Sequence, residues 1–374
     1  MEKPLLSIVV PTKNRYYYLK FLINLFVRIN SSELELVIQD NSDDNSEFIS
    51  YLDSFNCLRI KYSYVRGQIP MSDNSDKAIL NSSGKYVCFL GDDDGFTEGI
   101  VDGVRWMEKN DVEAVKPTHD VCYYWPDAAQ TFSSQIEYRP FSGKIIFLDP
   151  YKELLKVLKN GISNRWNMPL VYHAIVKREV LNRVYEKCGT FFPGNSPDIS
   201  NAVALSLVVK KYALVDSPWA YSGQSFYRGG GVFARGNATP AITDVPWFRP
   251  NPQDRWCSKL PKVAAGTVIW ADSAIESLKY MGREDLLNKI DFYKSYAVFL
   301  YEYPSQRLEL YKLKPNRIKL LISYITYYAF LLKRAVLKRT VWKLTSSHKF
   351  VVKGEVDNIV ESSIFLQTLV ENVE

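Results

Sequence analysis

Three short apolar runs, each ending in a polar loop, constrain this chain more than any other feature. Residues 6–10 lead into Thr12-Lys13-Asn14-Arg15, residues 34–38 into Gln39-Asp40-Asn41-Ser42-Asp43-Asp44, and residues 86–90 into Gly91-Asp92-Asp93-Asp94-Gly95. A compact apolar run bounded by turn formers reads as a buried strand. Apolar residues recur at helical spacing over 16–29, and a more polar helix is expected over about 46–55. A third strand is expected near 58–65 and a helix over 74–81, with Pro11 ending the first strand. Strands alternating with helices predict a mostly parallel sheet with helices on both faces. Ligands of such sheets bind beyond the carboxyl ends of the strands, which is where the three polar loops emerge.

The third loop carries the densest charge. Three adjacent carboxylates repel one another and become tolerable when a hard cation sits among them. Gly91 and Gly95 allow the backbone to turn sharply on either side. Further along, Phe191-Phe192-Pro193-Gly194-Asn195-Ser196-Pro197-Asp198 precedes an apolar helical segment over 199–211. Pro197 suits a first helical turn and Asp198 suits the helix dipole there, while its carboxylate is also able to take a proton. Ser222-Gly223-Gln224-Ser225-Phe226-Tyr227-Arg228 runs into three glycines, a composition suited to a lid with Arg228 available to a diphosphate.

Taken together, Ser7-Ile8-Val9-Val10-Pro11-Thr12-Lys13-Asn14-Arg15, Val37-Ile38-Gln39-Asp40-Asn41-Ser42 and Gly84 through Asp94 resemble family 2 glycosyltransferases of the GT-A fold, of the kind that build bacterial surface polysaccharide such as O-antigen or capsule. The resemblance covers roughly the first 230 residues and rests on the order and spacing of all three segments. It implies that Pro11, Thr12, Asn14, Arg15 and Asp40 hold the nucleotide sugar. The acidic cluster corresponds to the DXD motif, with Asp94 and Asp92 as expected ligands of Mg2+ or Mn2+, and Asp92 and Asp93 also facing the donor. Gly91 stands where many relatives carry an Asp. Ser72-Asp73-Asn74-Ser75-Asp76-Lys77 resembles the donor loop, with Lys77 facing phosphate. Asp198 corresponds to the general base of inverting enzymes. The implied reaction is inverting transfer of a sugar from a nucleotide diphosphate sugar, UDP-linked, to a polyprenyl-diphosphate-linked oligosaccharide.

Composition divides the rest of the chain. At 374 residues it exceeds one ordinary domain. Residues 1–236 are expected to form the catalytic domain, 237–311 a linker rich in Pro, Trp and Arg followed by a helical extension, and 312–374 a basic helical region. Five cysteines without a CxxC pair predict a reducing compartment, with neither disulfide framework nor zinc site. The N-terminal residues show no signal-peptide pattern. The net charge of +6 is local, because residues 312–353 hold 11 Lys or Arg and no Asp or Glu. That favours an anionic membrane surface over nucleic acid as partner, with homo-oligomerisation left open. Uncharged residues 320–332 would span only about 20 Å as a helix, so the segment is expected to lie on the inner face of the cytoplasmic membrane without crossing it. Three rivals remain at this stage. A nucleotidyltransferase would want a glycine-rich phosphate loop after the first strand, and none is present. A non-catalytic glycan-binding or scaffold protein would need none of the acids, and a two-carboxylate hydrolase would not need the nucleotide-type loops.

Overall fold

The computed structural model describes residues 3–118, 121–128, 132–164, 167–226, 241–339 and 350–371. Its first half alternates strand and helix as expected. The elements are β1 (Leu6–Thr12), α1 (Tyr16–Ile29), β2 (Leu34–Asp40), α2 (Ser46–Asp53), β3 (Ile60–Tyr64), α3 (Met71–Leu80), β4 (Tyr86–Phe89), β5 (Gly95–Phe96), α4 (Gly99–Lys109), β6 (Ala114–Pro117), β7 (Cys122–Tyr124), β8 (Gln135–Tyr138), β9 (Ile145–Leu148) and α5 (Pro150–Lys159). The second half adds β10 (Ile175–Lys177), α6 (Arg178–Cys188), α7 (Pro197–Ser206), β11 (Tyr212–Val215), β12 (Ala220–Gln224), α8 (Pro252–Arg255), α9 (Gly266–Tyr280), α10 (Phe292–Glu302), α11 (Arg307–Tyr311), α12 (Arg317–Arg339), β13 (Val351–Gly354) and α13 (Ile359–Glu371).

The main sheet runs β3-β2-β1-β4-β10-β6-β11-β9, with β10 and β9 antiparallel to their neighbours and the remaining pairs parallel. This is the mixed α/β arrangement, with a mostly parallel order in its first strands, that the sequence predicts. β1, β2 and β4 are apolar along their length because helices cover both faces, as burial of every residue of β2 and β4 confirms. Pro11 does not end β1, contrary to expectation. The β4 pairing stops at Val9, whereas the β2 pairing continues through Thr12, so Pro11 sits where β1 has a neighbour on one side only and its missing N–H costs little. β1 therefore delivers Thr12 beside Asp40 in register.

A second sheet, β13-β8-β7-β12-β5, stands against the acidic loop. Its edge strand comes from the C-terminus: β13 pairs antiparallel with β8. Helix α13 follows into the first core, where Ile359 and Leu366 are buried. There Tyr221 Oη meets Ser362 Oγ at 2.6 Å, Ser363 Oγ donates to the Phe96 carbonyl at 2.7 Å, and the Gly99 amide donates to Gln367 Oε1 at 3.1 Å. The last part of residues 312–374 thus packs into the first core. Part of the expected linker packs as well. Ile242, Val245, Phe248, Trp256 and Leu260 are buried in a second core together with Ile199, Ala202 and Val203 of α7. Widely spaced apolar residues between prolines and arginines read as linker in composition, yet each one is buried in this core.

That second core holds a buried acid on α9. Asp272 accepts from the Cys257 amide at 2.8 Å, and burial pushes its carboxyl up to about 7. The folded protein keeps a proton there that the unfolded chain has released, so this stability is full below about pH 4 and is lost as pH rises toward 7. The span corresponds to a loss on the order of 4 kcal/mol at most. Asp272→Asn keeps the acceptor and never ionises, so its melting temperature relative to wild type is expected to rise from pH 5 to pH 8. A constant difference across that range removes the assignment.

Candidate active site

The carboxyl ends of β1 and β4 bring Thr12, Arg15 and the acidic loop into one network. Thr12 Oγ1 donates to Asp92 Oδ2 at 2.7 Å. Arg15 forks between two acids, with Nε 3.1 Å from Asp92 Oδ1 and a terminal nitrogen 2.7 Å from Asp93 Oδ2. Ser225, just past β12, donates to Asp93 Oδ2 at 2.5 Å and accepts from Arg15 at 2.7 Å. Tyr18 supports the guanidinium from below, its ring centroid 4.9 Å away. Burial, with Asp93 and Asp94 adding repulsion, pushes the Asp92 carboxyl up to about 7 against the pull of Arg15. Burial raises Asp93 too, again opposed by Arg15. Burial thus outweighs the single guanidinium that the two carboxylates share.

Asp94, first among the expected metal ligands, is set behind the other two and is 0% exposed. Its Oδ2 accepts from the Gly91 amide at 2.6 Å and lies 2.7 Å from His173 Nε2, while Oδ1 accepts from the Gly223 amide at 2.8 Å. Burial alone would raise its carboxyl, but His173 and the two amides hold it below the usual range. The glycine at 91 has a local reason. A Cβ there would come within 2.9 Å of Asp94 Oδ2 and 3.2 Å of Asp93 Oδ1. His173 adopts a left-handed backbone (φ 56°) and stacks on Tyr172 with centroids 3.9 Å apart. For a histidine that conformation is costly and is held by its surroundings. In the sequence a lone His gives no signal, because its partner Asp94 is distant in the chain.

β12 fixes the loop from the other side. Trp125 Nε1 donates to the Asp93 carbonyl at 2.9 Å. A Cβ at Gly223 would meet that same carbonyl oxygen at 1.6 Å. Gly223→Ala is therefore expected to push the acidic loop off β12, destabilising the fold by several kcal/mol and removing activity along with it. Thermal melts beside turnover check this, and unchanged values for both would show that the strand and loop are not in contact.

Asn14 and Asp40 build a second cluster next to the first. Asp40 is buried, with Tyr16 Oη and Tyr62 Oη both donating to Oδ2 at 2.6 Å and the Ser42 amide donating to Oδ1 at 2.8 Å. Burial and the Asp40 bond raise both phenols. Asn14, at φ 57°, clamps the first loop to the second: its amide donates to Ser42 Oγ at 2.7 Å and its Nδ2 to Asp43 Oδ2 at 2.7 Å. Tyr16 lies flat on Phe48, 4.3 Å between centroids. Neither tyrosine was identifiable from sequence, where both read as ordinary strand or helix aromatics.

The other expected residues lie apart from these two clusters or outside the described chain. Asp198 sits in the first turn of α7, where Oδ1 accepts from Ser196 Oγ at 2.6 Å and from the Ile199 amide at 2.8 Å. Its loop docks on α3 through Ser72 Oγ to the Gly194 carbonyl (2.8 Å) and on α9 through the Ser196 amide to Ser273 Oγ (2.9 Å). The segment read as a donor loop is helix α3, and it acts chiefly as a brace. Asp73 and Asp76 pair with Arg249 at 2.7 and 3.3 Å, and Asn74 bonds Asn41 at 3.0 Å. Burial pushes Asp76 up to about 6. Lys77 is exposed on that helix. Arg228 lies outside the described residues.

Among the described residues no cluster of three or more His, Cys, Asp or Glu forms a complete metal site. The donor set nevertheless fits a hard divalent cation. Asp92 and Asp93 offer carboxylate oxygens in a buried, electron-rich setting, and Mg2+ sites commonly use one or two carboxylates with phosphate oxygens completing the sphere.

Residues 7–166 match the family model described as Glycosyl transferase family 2. Over 104 residues the chain is 32% identical to a Campylobacter jejuni subsp. jejuni serotype O:2 protein described as a GalNAc(5)-diNAcBac-PP-undecaprenol beta-1,3-glucosyltransferase, covering 26% of this chain and 32% of that protein. The chain thus spans about a third of the length of the curated relative it matches. S. aureus TarS 1-349 in complex with UDP-GlcNAc is a similar solved structure at 16% identity, with 86% of this chain and 89% of that chain covered and a TM-score of 0.43. Mannosyltransferase PcManGT from Pyrobaculum calidifontis, in complex with GDP-Man and Mn2+, is another at 12% identity, 100% and 88% coverage and a TM-score of 0.44. Likenesses of that size identify no ligand. The matched residues 7–166 carry the first two polar loops and the acidic loop.

Proposed function

We propose that the chain transfers one sugar from a nucleoside diphosphate sugar, UDP-linked, to a hydroxyl of a polyprenyl-diphosphate-linked oligosaccharide during bacterial surface-polysaccharide synthesis, with inversion. The observation that carries this reading is the pair Asp92 and Asp93, buried side by side past the end of β4 and sharing Arg15 beside the nucleotide-type loops. The family match supports the reaction class. The lipid-linked acceptor rests on the Campylobacter relative, a GalNAc(5)-diNAcBac-PP-undecaprenol beta-1,3-glucosyltransferase, and UDP on the sequence resemblance.

Thr12, Asn14, Arg15 and Asp40 form the nucleotide wall, with Pro11 setting the direction of the loop. Lys77 and Arg228 are assigned to the diphosphate. Asp92 and Asp93 are assigned to Mg2+ or Mn2+, which would neutralise the departing diphosphate as a Lewis acid. Asp94 holds the loop in shape, since both its oxygens already accept from backbone amides. Arg15 supplies a positive charge to the same two acids and is free to follow the diphosphate when it arrives. Asp198 accepts the proton of the acceptor hydroxyl. As that oxygen bonds to the anomeric carbon, the bond to the diphosphate oxygen breaks on the opposite face, and the anomer inverts.

A panel of nucleotide sugars, read as release of the nucleotide with and without chelator, tests the reading. One UDP-sugar is expected to be turned over, at a rate about 10²-fold or more lower in EDTA and restored by Mn2+. Full activity in EDTA overturns the metal assignment, and release from none of the donors overturns the function.

A further inference from the structure

Helix α12 has one packed face and one bare one. Leu320, Tyr324, Tyr327 and Leu331, spaced by four, three and four, form the face turned toward α10, where Tyr301 meets Tyr327 at 5.6 Å between centroids. At 100° per residue, Ile318, Leu321, Ile322, Ile325, Leu332 and Val336 fall on the opposite face. Each is more than half exposed, up to 71% at Ile318. Lys319, Thr326 and Lys333 run along one border of this stripe and Arg317 stands at the other. A contiguous apolar face of this size on a folded chain marks a surface that something covers.

We propose that α12 lies in the plane of an anionic membrane, with the Ile318–Val336 stripe sunk among the acyl chains and its basic borders at the headgroups, so that the enzyme is peripheral on the inner face of the cytoplasmic membrane. Charge selects this occupant over a second copy of the chain. Residues 312–353 contain 11 Lys or Arg and no acid, so two such faces would bring like charges together, whereas anionic lipid complements them. Topology selects lying over crossing. The helix is 23 residues, about 34 Å, long and apolar enough to span a bilayer, and the shorter estimate from its uncharged core alone falls away. Yet β13 pairs with β8, and α13 is buried against α1 and β5 in the first core. Both ends of α12 therefore return to one body. A crossing helix would put its C-terminal end on the far side of a hydrocarbon core about 30 Å thick, away from that body. None of this depends on the sugar-transfer reading, which nucleotide release in solution tests separately.

The test is flotation of the full chain with phosphatidylcholine vesicles made with and without phosphatidylglycerol. The expected result is binding to the anionic vesicles, weakened by salt. Ile322→Glu with Ile325→Glu is expected to lower the bound fraction about tenfold or more, and Lys319→Glu with Lys333→Glu by about tenfold. All four positions are exposed, so both double variants are expected to melt like wild type. A tag after Glu374 is expected to stay open to external protease. Absence of flotation by the intact chain, or equal flotation by the Ile322/Ile325 variant, overturns the proposal. So does a dimer in sedimentation that the same variant dissociates without any vesicle binding, which would make a second copy the occupant. Protection of the tag overturns the in-plane placement.

Discussion

Asp93→Asn is expected to lower sugar transfer by about 10³-fold and to remove the cation dependence of donor binding, while the protein melts close to wild type. The size follows from a divalent cation's contribution of several kcal/mol to neutralising the leaving diphosphate, at 1.36 kcal/mol per factor of ten. The small change in stability follows from burial, because Asp93 is held above the usual carboxylate range and the folded state gains little from its charge. Asp94→Asn is expected to behave in the opposite way. Its Oδ2 receives the Gly91 amide at 2.6 Å and its Oδ1 the Gly223 amide at 2.8 Å, so an amide nitrogen in either place sets donor against donor. Loss of one such bond to a charged acceptor costs about 1.5–3 kcal/mol. Calorimetric donor titrations with Mn2+, read beside thermal melts, separate the two acids. A normal melt with lost cation-dependent binding for Asp94→Asn, and the reverse for Asp93→Asn, would return the cation to Asp94.

The contrast between those two acids marks where sequence stops being informative. Three adjacent carboxylates after a strand announce a charged loop, and the alternation of apolar runs with helical segments places it at the carboxyl edge of a parallel sheet. Order within the triplet is decided elsewhere, by Gly223 and Trp125 on a second sheet and by His173, all of them distant in the chain from the loop they hold. Asp40 tells the same story. Its position after β2 is legible, but the two tyrosines that donate to it come from α1 and β3 and look like core aromatics in any one-dimensional reading. Local pattern fixes which elements form, and long-range register fixes which side chains meet. The C-terminal strand is hidden from the sequence for a related reason. Residues 351–354 are exposed and unremarkable as a strand until β8 supplies an edge to pair with.

Asp198→Asn is expected to leave donor affinity unchanged and to lower turnover by about 10²-fold or more. The substitution is nearly silent in structure. Asn retains an oxygen for the Ser196 hydroxyl and the Ile199 amide, which Asp198 Oδ1 receives at 2.6 and 2.8 Å, and Asn is as good a residue as Asp near a helix start. Only the capacity to accept a proton is removed. Asp198→Ala is the useful companion, because it deletes the helix-start bonds together with the base and adds about 1 kcal/mol of destabilisation to the same catalytic loss. If Asp198 serves α7 alone, the two variants split: Asn melts and turns over like wild type, whereas Ala melts lower and loses activity only in proportion to unfolding. If Asp198 takes the acceptor's proton, both lose turnover equally and only Ala loses stability. The decisive measurement is turnover at saturating donor and acceptor with both variants held well below their melting temperatures. Normal turnover in Asp198→Asn takes this carboxylate out of the reaction.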